Sequence, residues 1–364
     1  MTVTTTDRPT PSPARSRVAR VVSTPVRRHL LGALLALVVV ILVLESVSTF
    51  RQSQLTSVAY LAIAAAGLTV LTGLNGQLSL GHGAFMAVGA YTAALMLRAN
   101  ESGWSVPLVL IAATVVAGLV GVVVGVAAAR LHGPYLAGAT LALAVAVPGL
   151  ALYFSEHLGG EQGLIVPSPD VPSALDDIAF FVTGNELTST KFVAYVGWFL
   201  LVLVFFLLAN VSSSRVGRRW RAVRDDEVSA EIAGIDLGRA RVLAFVVSAA
   251  CAGAAGAIMA MASRIAAPSG FTLVLSLTLL SAVVIGGLGS LTGALIGAGL
   301  LTYIPPVVTN LGLDAGLSSL QAAELAPLVT GIFTVVVILF APLGLVGTVR
   351  GRLVQRRLKR EGVR

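Results

Sequence analysis

The chain is poor in the residues on which most enzymes rely for chemistry. It has one cysteine, two lysines and four histidines among 364 residues. The single Cys251 excludes an intrachain disulfide, and its place in an apolar run favours a small packing residue over a reactive thiol. The phosphate-binding loop G-x-x-x-x-G-K-[ST] is excluded because neither Lys191 nor Lys359 follows a glycine. The histidines are scattered without metal-ligand spacing, so we predict no metal site and no catalytic residues.

Charge is scarce as well. Only 12% of the residues are charged, against about 25% in soluble domains, while 56% are hydrophobic and the mean hydropathy is +0.91. The apolar residues come in runs that approach the about 20 residues needed to cross a bilayer. The short alternating segments of a membrane β-barrel do not appear. The composition therefore predicts an all-α, polytopic membrane protein.

The apolar runs predict about ten transmembrane helices within a transmembrane domain, residues 29–345. Basic tails precede and follow this domain: a disordered cytoplasmic tail at 1–28 and a second cytoplasmic tail at 346–364. The predicted spans are 30–44, 57–73, 84–98, 105–129, 135–153, 192–209, 241–262, 273–288, 293–308 and 325–343.

The net charge of +8 does not indicate a nucleic-acid partner, because the basic residues cluster beside apolar spans. Six lie in 1–28, seven in 215–241 and seven in 350–364. The loop 154–191 holds six acids against one lysine. By the positive-inside rule both termini and the segment 212–240 are cytoplasmic, and the loop 154–191 is extracytoplasmic. The predicted location is a bacterial cytoplasmic membrane.

The stretch GLNGQLSLGHGAFMAVGAY, residues 73–91, interrupts an apolar segment with glycine and polar residues. Irregular backbone at membrane depth persists only where protein or a water-filled cavity covers it, and polar side chains there indicate a transport pathway. We predict a broken helix near 75–83. Residues predicted to line the pathway are Asn75, Gln77, Ser79, His82, Tyr91, Tyr135 and Thr140.

Two alternatives to substrate contact stay open for these residues. Gln77, Ser79 and His82 would instead hold the broken helix together by hydrogen bonds, with the His82 ring donating to a backbone carbonyl. The two tyrosines would instead serve packing or the membrane interface.

Small residues recur at a spacing of four, in Ala117, Gly121 and Gly125 and again in Gly293 and Gly297, which predicts close helix packing. A second glycine-rich break runs from Gly286 to Gly293, between spans oriented like those around the first break. This arrangement suggests a parallel internal repeat.

The predicted cytoplasmic segment 212–240 has more helical order than topology requires. Ser214 suits the N-cap of one short helix, Asp225 or Asp226 that of a second, and Gly234 the stop. Apolar positions such as Val228 and Ile232 lie among its charges. The alternatives are a solvated basic loop and a docking element for a soluble partner, and the capping pattern favours docking.

Several blocks together resemble the permeases of branched-chain amino acid ABC transporters, of the LivM type. They are GLNGQLSLGHGAFMAVGAY, GPYLAGATLALA (133–144), GGEQGL (159–164), VGRRWRAVRDDEVSAEIAGID leading into LAFVVSAACAGAAGAIMA, and VVIGGLGSLTGALIGA.

The resemblance implies a subunit that pairs with a sister permease, two ATP-binding subunits and an extracytoplasmic substrate-binding protein. ATP and Mg would bind to the partner subunits, and this chain itself would need no cofactor. The residues implied to couple it to the ATPase are Gly217, Arg218, Arg221, Arg224, Asp225, Glu227, Ala230 and Gly234.

The implied activity is import of Leu, Ile or Val by alternating access, with no enzymatic reaction in this chain. Urea permeases share most of these blocks, so urea or another small amide is an alternative substrate. An ion-coupled secondary carrier is the alternative from another class. Such a carrier usually needs a membrane-embedded carboxylate, and the 17 acids fall outside the interiors of the predicted spans.

Overall fold

The computed structural model describes residues 25–98, 105–131 and 133–360, and it is almost entirely helical. The helices are α1 (Pro25–Ser46), α2 (Thr49–Leu68), α3 (His82–Arg98), α4 (Val106–Ala128), α5 (Pro134–Tyr153), α6 (Ser155–Leu158), α7 (Ser173–Thr183), α8 (Ser189–Ser213), α9 (Arg215–Asp225), α10 (Glu227–Ile232), α11 (Leu237–Ser263), α12 (Leu273–Gly286), α13 (Leu291–Asp314), α14 (Ser319–Phe340) and α15 (Gly344–Arg360). A π-helical turn, Thr69–Leu74, continues α2. Two strands, β1 (Leu164–Ile165) and β2 (Ile265–Ala266), pair antiparallel.

Ten of these helices match the ten predicted spans, and nine stretches of the described chain are long and apolar enough to cross a membrane. The tenth is α3, which has 17 residues and ends at Arg98, where this described stretch of the chain also ends. The predicted all-α polytopic fold is confirmed.

The ends of the chain are more helical than the sequence predicts. Helix α1 begins at Pro25, four residues inside the predicted tail, whose residues 1–24 lie outside the described part. The predicted C-terminal tail is largely the helix α15. Its apolar residues recur among arginines, and α15 packs against α12 and α13 at its start. The sequence interpretation assigned no helix to this tail.

The core is built around α11, which packs against α2, α3 and α4. Its middle is almost entirely alanine and glycine, so neighbouring backbones approach closely. A Cβ on Gly253 would overlap Ala117 of α4, and one on Gly256 would overlap the Met86 carbonyl of α3. Gly121 likewise faces Ala249 of α11. Because lipid supplies no hydrophobic drive between helices, such close van der Waals packing holds the bundle together. The predicted packing role of the small-residue rows is confirmed.

The bundle has two chemically different ends. The basic end carries α9, α10 and the start of α15, and the acidic end carries α6, α7 and the β1–β2 pair. At the acidic end the GGEQGL block forms a tight turn in which Gly163 has φ +70° and lies against the backbone of Ala266. This turn joins the loop 154–191, which the sequence left undivided, to the chain that follows α11.

Helix α1 lies at the periphery, and polar contacts hold it to α8 near both of its ends. His29 Nδ1 lies 3.0 Å from Asn210 Oδ1 at the basic end. At the acidic end the Glu45 carboxylate accepts from Lys191 Nζ at 2.7 Å and from the Tyr195 hydroxyl. The buried Lys191 is therefore neutralised by a partner 146 residues away.

We predict that Gly256→Ala lowers the thermal unfolding temperature of the purified protein by several degrees. The added methyl group must displace the Met86 carbonyl of α3, and overpacking of this kind typically costs about 1–3 kcal/mol. Gly331→Ala is the matched control, because nothing lies within 4 Å of its added Cβ. Thermal unfolding in detergent, followed by size-exclusion chromatography, measures both. Equal stability of the two variants would contradict the packing account.

Candidate functional site

The first glycine-rich break is a reversal of the chain inside the bundle. The π turn ends at Leu74, and residues 75–81 are not helical before α3 begins at His82. The Nε2 atom of His82 lies 3.0 Å from the carbonyl oxygen of Ala64, ten residues before the end of the π turn. At about 1.5 Å per helical residue this is a return of about 15 Å. Residues 75–81, which we call the extended segment, therefore run back alongside α2.

The extended segment lies at membrane depth for part of its length. Residues Thr49–Leu74 form a rod of 26 residues, or about 39 Å, which exceeds the about 30 Å of the hydrocarbon core. The segment thus starts near one boundary of the membrane and ends near its middle. Non-helical backbone at that depth needs hydrogen-bond partners other than lipid.

Three neighbouring helices supply such partners. Leu80 N–H donates to Thr140 Oγ1 of α5 at 3.0 Å, and Gly83 N–H donates to Ser276 Oγ of α12 at 2.9 Å. With the contact of the His82 ring to α2, these bonds fix the segment and the start of α3. The prediction that His82 contacts a backbone carbonyl is confirmed.

Exposure along the extended segment alternates with a period of two, as in a strand. Asn75, Gln77 and Ser79 are buried inside this chain. Gly76 and Leu78 face outward, and the Leu78 side chain is 54% exposed. The polar residues that the sequence singled out are therefore buried inside this chain, and a glycine and a leucine form the open face of the segment.

Several buried polar atoms around the segment have no hydrogen-bond partner among the described residues. They are both amide atoms of Asn75, Oε1 of Gln77, Nδ1 of His82 and the hydroxyl of Tyr91. Buried polar atoms usually bind protein or ordered water, so each of these atoms can bind a water molecule. Tyr91 also packs against the Phe271 ring. Tyr135, by contrast, is 78% exposed at the start of α5.

The two glycine-rich breaks meet at the basic end. A Cβ on Gly73 would overlap the backbone nitrogen of Gly289, so the two chains touch without side chains between them. Gly287, with φ +119°, lies against Gly344 at the start of α15. The contact between Gly73 and Gly289 places both breaks at the same level of the helix bundle. The parallel internal repeat stays a prediction.

The basic segment 212–240 forms the two capped helices that the sequence predicts. The Ser214 hydroxyl accepts from Val216 N–H to cap α9, and the Asp226 carboxylate accepts from the N–H groups that start α10. Hydrogen bonds from the Ser229 hydroxyl and backbone lower the pKa of Asp226. Gly234, with φ +81°, ends α10 in the left-handed conformation.

Three of the implied coupling residues attach α9 to the end of α8. A Cβ on Gly217 would overlap the carbonyl of Ser212. Arg221 Nη1 donates to the same carbonyl at 3.0 Å, and Arg218 Nη1 donates to that of Ser213 at 3.2 Å. These guanidinium groups therefore satisfy the last carbonyls of a long helix, which lack partners within it.

Three further implied residues contact other parts of the chain. Arg224 Nη1 donates to the carbonyl of Gly73 at 2.8 Å, and its other nitrogens bind Asp225. Glu227 pairs with the buried Arg241 of α11 at 2.7 Å. The coupling role of these residues stays a prediction, and the contacts they make lie within this chain.

Helix α10 exposes two apolar side chains. Ala230 is buried, whereas Val228 is 67% exposed and Ile232 is 84% exposed. These two side chains are four residues apart and lie on one side of the helix. Together they form a small apolar surface at the basic end, which we call the α10 surface.

A family model described as "Branched-chain amino acid transport system / permease component" matches residues 51–342. The chain belongs to this family. The match covers the two breaks, the loop 154–191 and the basic segment, in the order in which the sequence blocks occur. The chain is accordingly a multi-pass membrane permease.

The chain is similar to curated relatives of both permease types. It is 31% identical to the high-affinity branched-chain amino acid transport system permease protein LivM of Escherichia coli, over 91% of this chain and 77% of the relative. The LivM protein of Salmonella typhimurium is also 31% identical, over 79% and 68%. LivH of Escherichia coli is 28% identical, over 79% of this chain and 91% of the relative.

Sequence reasoning missed two residues that define the site, Ser276 and Leu78. Ser276 looks like any small residue in an apolar span, and nothing in the sequence pairs it with Gly83. Leu78 is apolar and therefore gave no signal in a search for polar residues. The exposure of Leu78 follows from the alternation of buried and outward-facing residues along N-G-Q-L-S-L, residues 75–80. Interpreting the break as strand-like would have predicted this exposure.

We predict that Ser276→Ala destabilises the start of α3. The Gly83 N–H would lose its acceptor in a buried site, which typically costs about 1–3 kcal/mol. Ser53→Ala is the matched control, because its exposed hydroxyl bonds only its own helix. Thermal unfolding in detergent and protease sensitivity near 75–83 measure the effect. An unfolding temperature for Ser276→Ala equal to that of the control would refute the anchoring role.

Proposed function

We propose that this chain is the permease subunit of an ATP-driven importer for branched-chain amino acids. The observation that carries the proposal is the 31% identity, over 91% of the chain, to a permease of high-affinity branched-chain amino acid transport. Similarity to LivH as well as LivM supports pairing with a sister permease of related fold. Two ATP-binding subunits would bind ATP and Mg, and an extracytoplasmic protein would deliver the substrate.

Docking of the ATP-binding subunits is proposed to use the α10 surface. Val228 and Ile232 are exposed on a short capped helix, and apolar side chains surrounded by charges are typical of the centre of a protein–protein interface. Three arginines of α9, Arg218, Arg221 and Arg224, donate to carbonyls of this chain instead. The basic end would then face the cytoplasm, which agrees with the positive-inside rule.

We predict that Val228→Asp combined with Ile232→Asp abolishes co-purification of the ATP-binding subunits. A buried unpaired carboxylate at an interface is strongly unfavourable. Val349→Asp combined with Leu353→Asp is the matched control, since it places the same two charges on exposed residues four positions apart in α15. Affinity purification of the complex from membranes gives the subunit ratio for each variant. Full retention of the ATP-binding subunits by the double variant would rule out this docking surface.

The open face of the extended segment is proposed to form one wall of the translocation path. The backbone N–H and C=O of Leu78 make no hydrogen bond within the described residues. At membrane depth such groups need water or another protein chain. A path between this chain and its sister permease would supply water, and the Leu78 side chain would offer an apolar contact to an aliphatic substrate.

We predict that Leu78→Ala lowers uptake of labelled leucine at sub-saturating concentration several-fold, because an aliphatic contact to the substrate is lost. Leu339→Ala, at a 70% exposed leucine of α14, is the control. Uptake into proteoliposomes that contain all subunits is the measurement, with co-purification as a check on assembly. Equal uptake by the two variants would remove Leu78 from the path.

If the chain were an ion-coupled carrier, uptake into the same vesicles would follow a different pattern. The carboxylate at the edge of α1, Glu45, is already paired with Lys191, so it is poorly suited to bind a coupling ion. We expect no uptake by the purified chain alone under an ion gradient, and uptake only with ATP and all subunits. Gradient-driven uptake by the chain alone would overturn the proposed function.

A further inference from the structure

One contact joins the basic segment directly to the first break. Arg224 Nη1 of α9 donates to the carbonyl oxygen of Gly73, 151 residues away, at 2.8 Å. Gly73 lies in the last turn of the π-helical stretch, where carbonyls lack a partner further along the helix. A guanidinium at this position also interacts favourably with the negative end of the helix dipole. Arg224 therefore acts as the cap of the helix from which the extended segment starts.

Further contacts orient the side chain of Arg224 toward Gly73. The remaining donors of the Arg224 guanidinium, Nε and Nη2, bind the Asp225 carboxylate at 2.9 and 2.7 Å. The aliphatic part of Arg224 packs on Gly76, where an added Cβ would lie 2.9 Å from Arg224 Cγ. The side chain of Arg224 thus contacts the last turn of the π helix through a hydrogen bond at Gly73, and it contacts the extended segment through packing at Gly76.

Helices α9 and α10 are in turn fixed to the central helix. Trp220 of α9 is buried, and its Nε1 donates to the carbonyl of Ala240 in α11 at 3.0 Å. The ion pair of Glu227 with Arg241 connects α10 to the same helix. These contacts link α9 and α10 to α11, and Arg224 links α9 to the first break. Movement of the exposed α10 surface would therefore move α9, α11 and the first break together.

We propose that Arg224 is a positioning residue that transmits movement of α9 to the extended segment. This inference rests on the proposed function, because it assumes that partner ATPases move α9 and α10. When α9 shifts, the Arg224 guanidinium carries the Gly73 carbonyl with it and changes the position of Leu78. Arg224 contacts neither the ATPase nor the substrate in this role.

The second break takes part in the same movement. The backbone of Gly73 touches that of Gly289 without an intervening side chain, so Gly73 cannot shift alone. Gly287 next to it lies against Gly344 at the start of α15. A single hydrogen bond from Arg224 thus acts on a point where both breaks meet.

The variants Arg224→Ala and Arg224→Lys test the proposal in the complete reconstituted transporter. Alanine removes the donor, whereas lysine keeps a charged donor on a long side chain. Arg219→Ala is the matched control, since it removes the same charge from an exposed position of the same helix. Co-purification of the ATP-binding subunits, ATP hydrolysis and leucine uptake are measured for each variant.

The Arg224→Ala complex should keep its ATP-binding subunits and its rate of ATP hydrolysis. The amount of leucine taken up per ATP hydrolysed should fall about tenfold, because a charge-assisted hydrogen bond is lost. Arg224→Lys should recover most of this ratio, and Arg219→Ala should equal the parent. An unchanged ratio in Arg224→Ala would overturn the proposal. Loss of the ATP-binding subunits would also overturn it, because Arg224 would then belong to the docking surface.

A second measurement reports on the extended segment itself. Leu78→Cys in a Cys251→Ala background carries a single exposed thiol, because Cys251 is the only native cysteine. Its rate of maleimide labelling should change by about threefold or more between nucleotide-free and vanadate-trapped complexes, as solvent access to the thiolate changes. Adding Arg224→Ala should abolish that change. If the rate of maleimide labelling still depended on nucleotide without Arg224, the proposed link between Arg224 and the extended segment would be refuted. Co-purification and ATP-dependent uptake by the parent complex test the proposed function separately.

Discussion

The structure depends on one constraint, the need of each backbone polar group at membrane depth for a hydrogen-bond partner. The extended segment breaks the helical pattern that would satisfy this need internally. Side chains from other helices therefore take over, with Thr140 and Ser276 accepting from the backbone and Arg224 donating to it. The face of the segment that these contacts leave open is where a water-filled path or a second chain is required.

Close packing makes these contacts possible. The alanine- and glycine-rich middle of α11 lets α3 and α4 approach until backbone atoms touch, as at Gly256. Short side chains such as Ser276 reach a neighbouring backbone only at such separations. The two breaks pack against each other in the same way, because the backbone of Gly73 touches that of Gly289. Tight packing thus links the position of one break to that of the other.

Much of the fold was predictable from the sequence because its signals are local. Length and hydropathy of a run decide whether it spans, and the distribution of basic residues decides its direction. Capping by Ser214 and Asp226 is equally local, since a cap contacts residues two or three positions on. The π turn and the helix α15 were missed. Gly73 in the π turn lies against the backbone of Gly289, a distant contact that has no local signal. The basic composition of α15 resembles that of a solvated tail.

The sequence alone determined that the chain is a multi-span permease with a polar break near 75–83 and a capped basic segment near 212–240. Only the tertiary structure decided how these parts meet. The orientation of Asn75 and Gln77 toward the interior, with Leu78 outward, depends on which helices flank the segment. The contact of Arg224 with Gly73 joins residues 151 positions apart. Such a pairing has no local signal, because it results from the packing of helices that are distant in the chain.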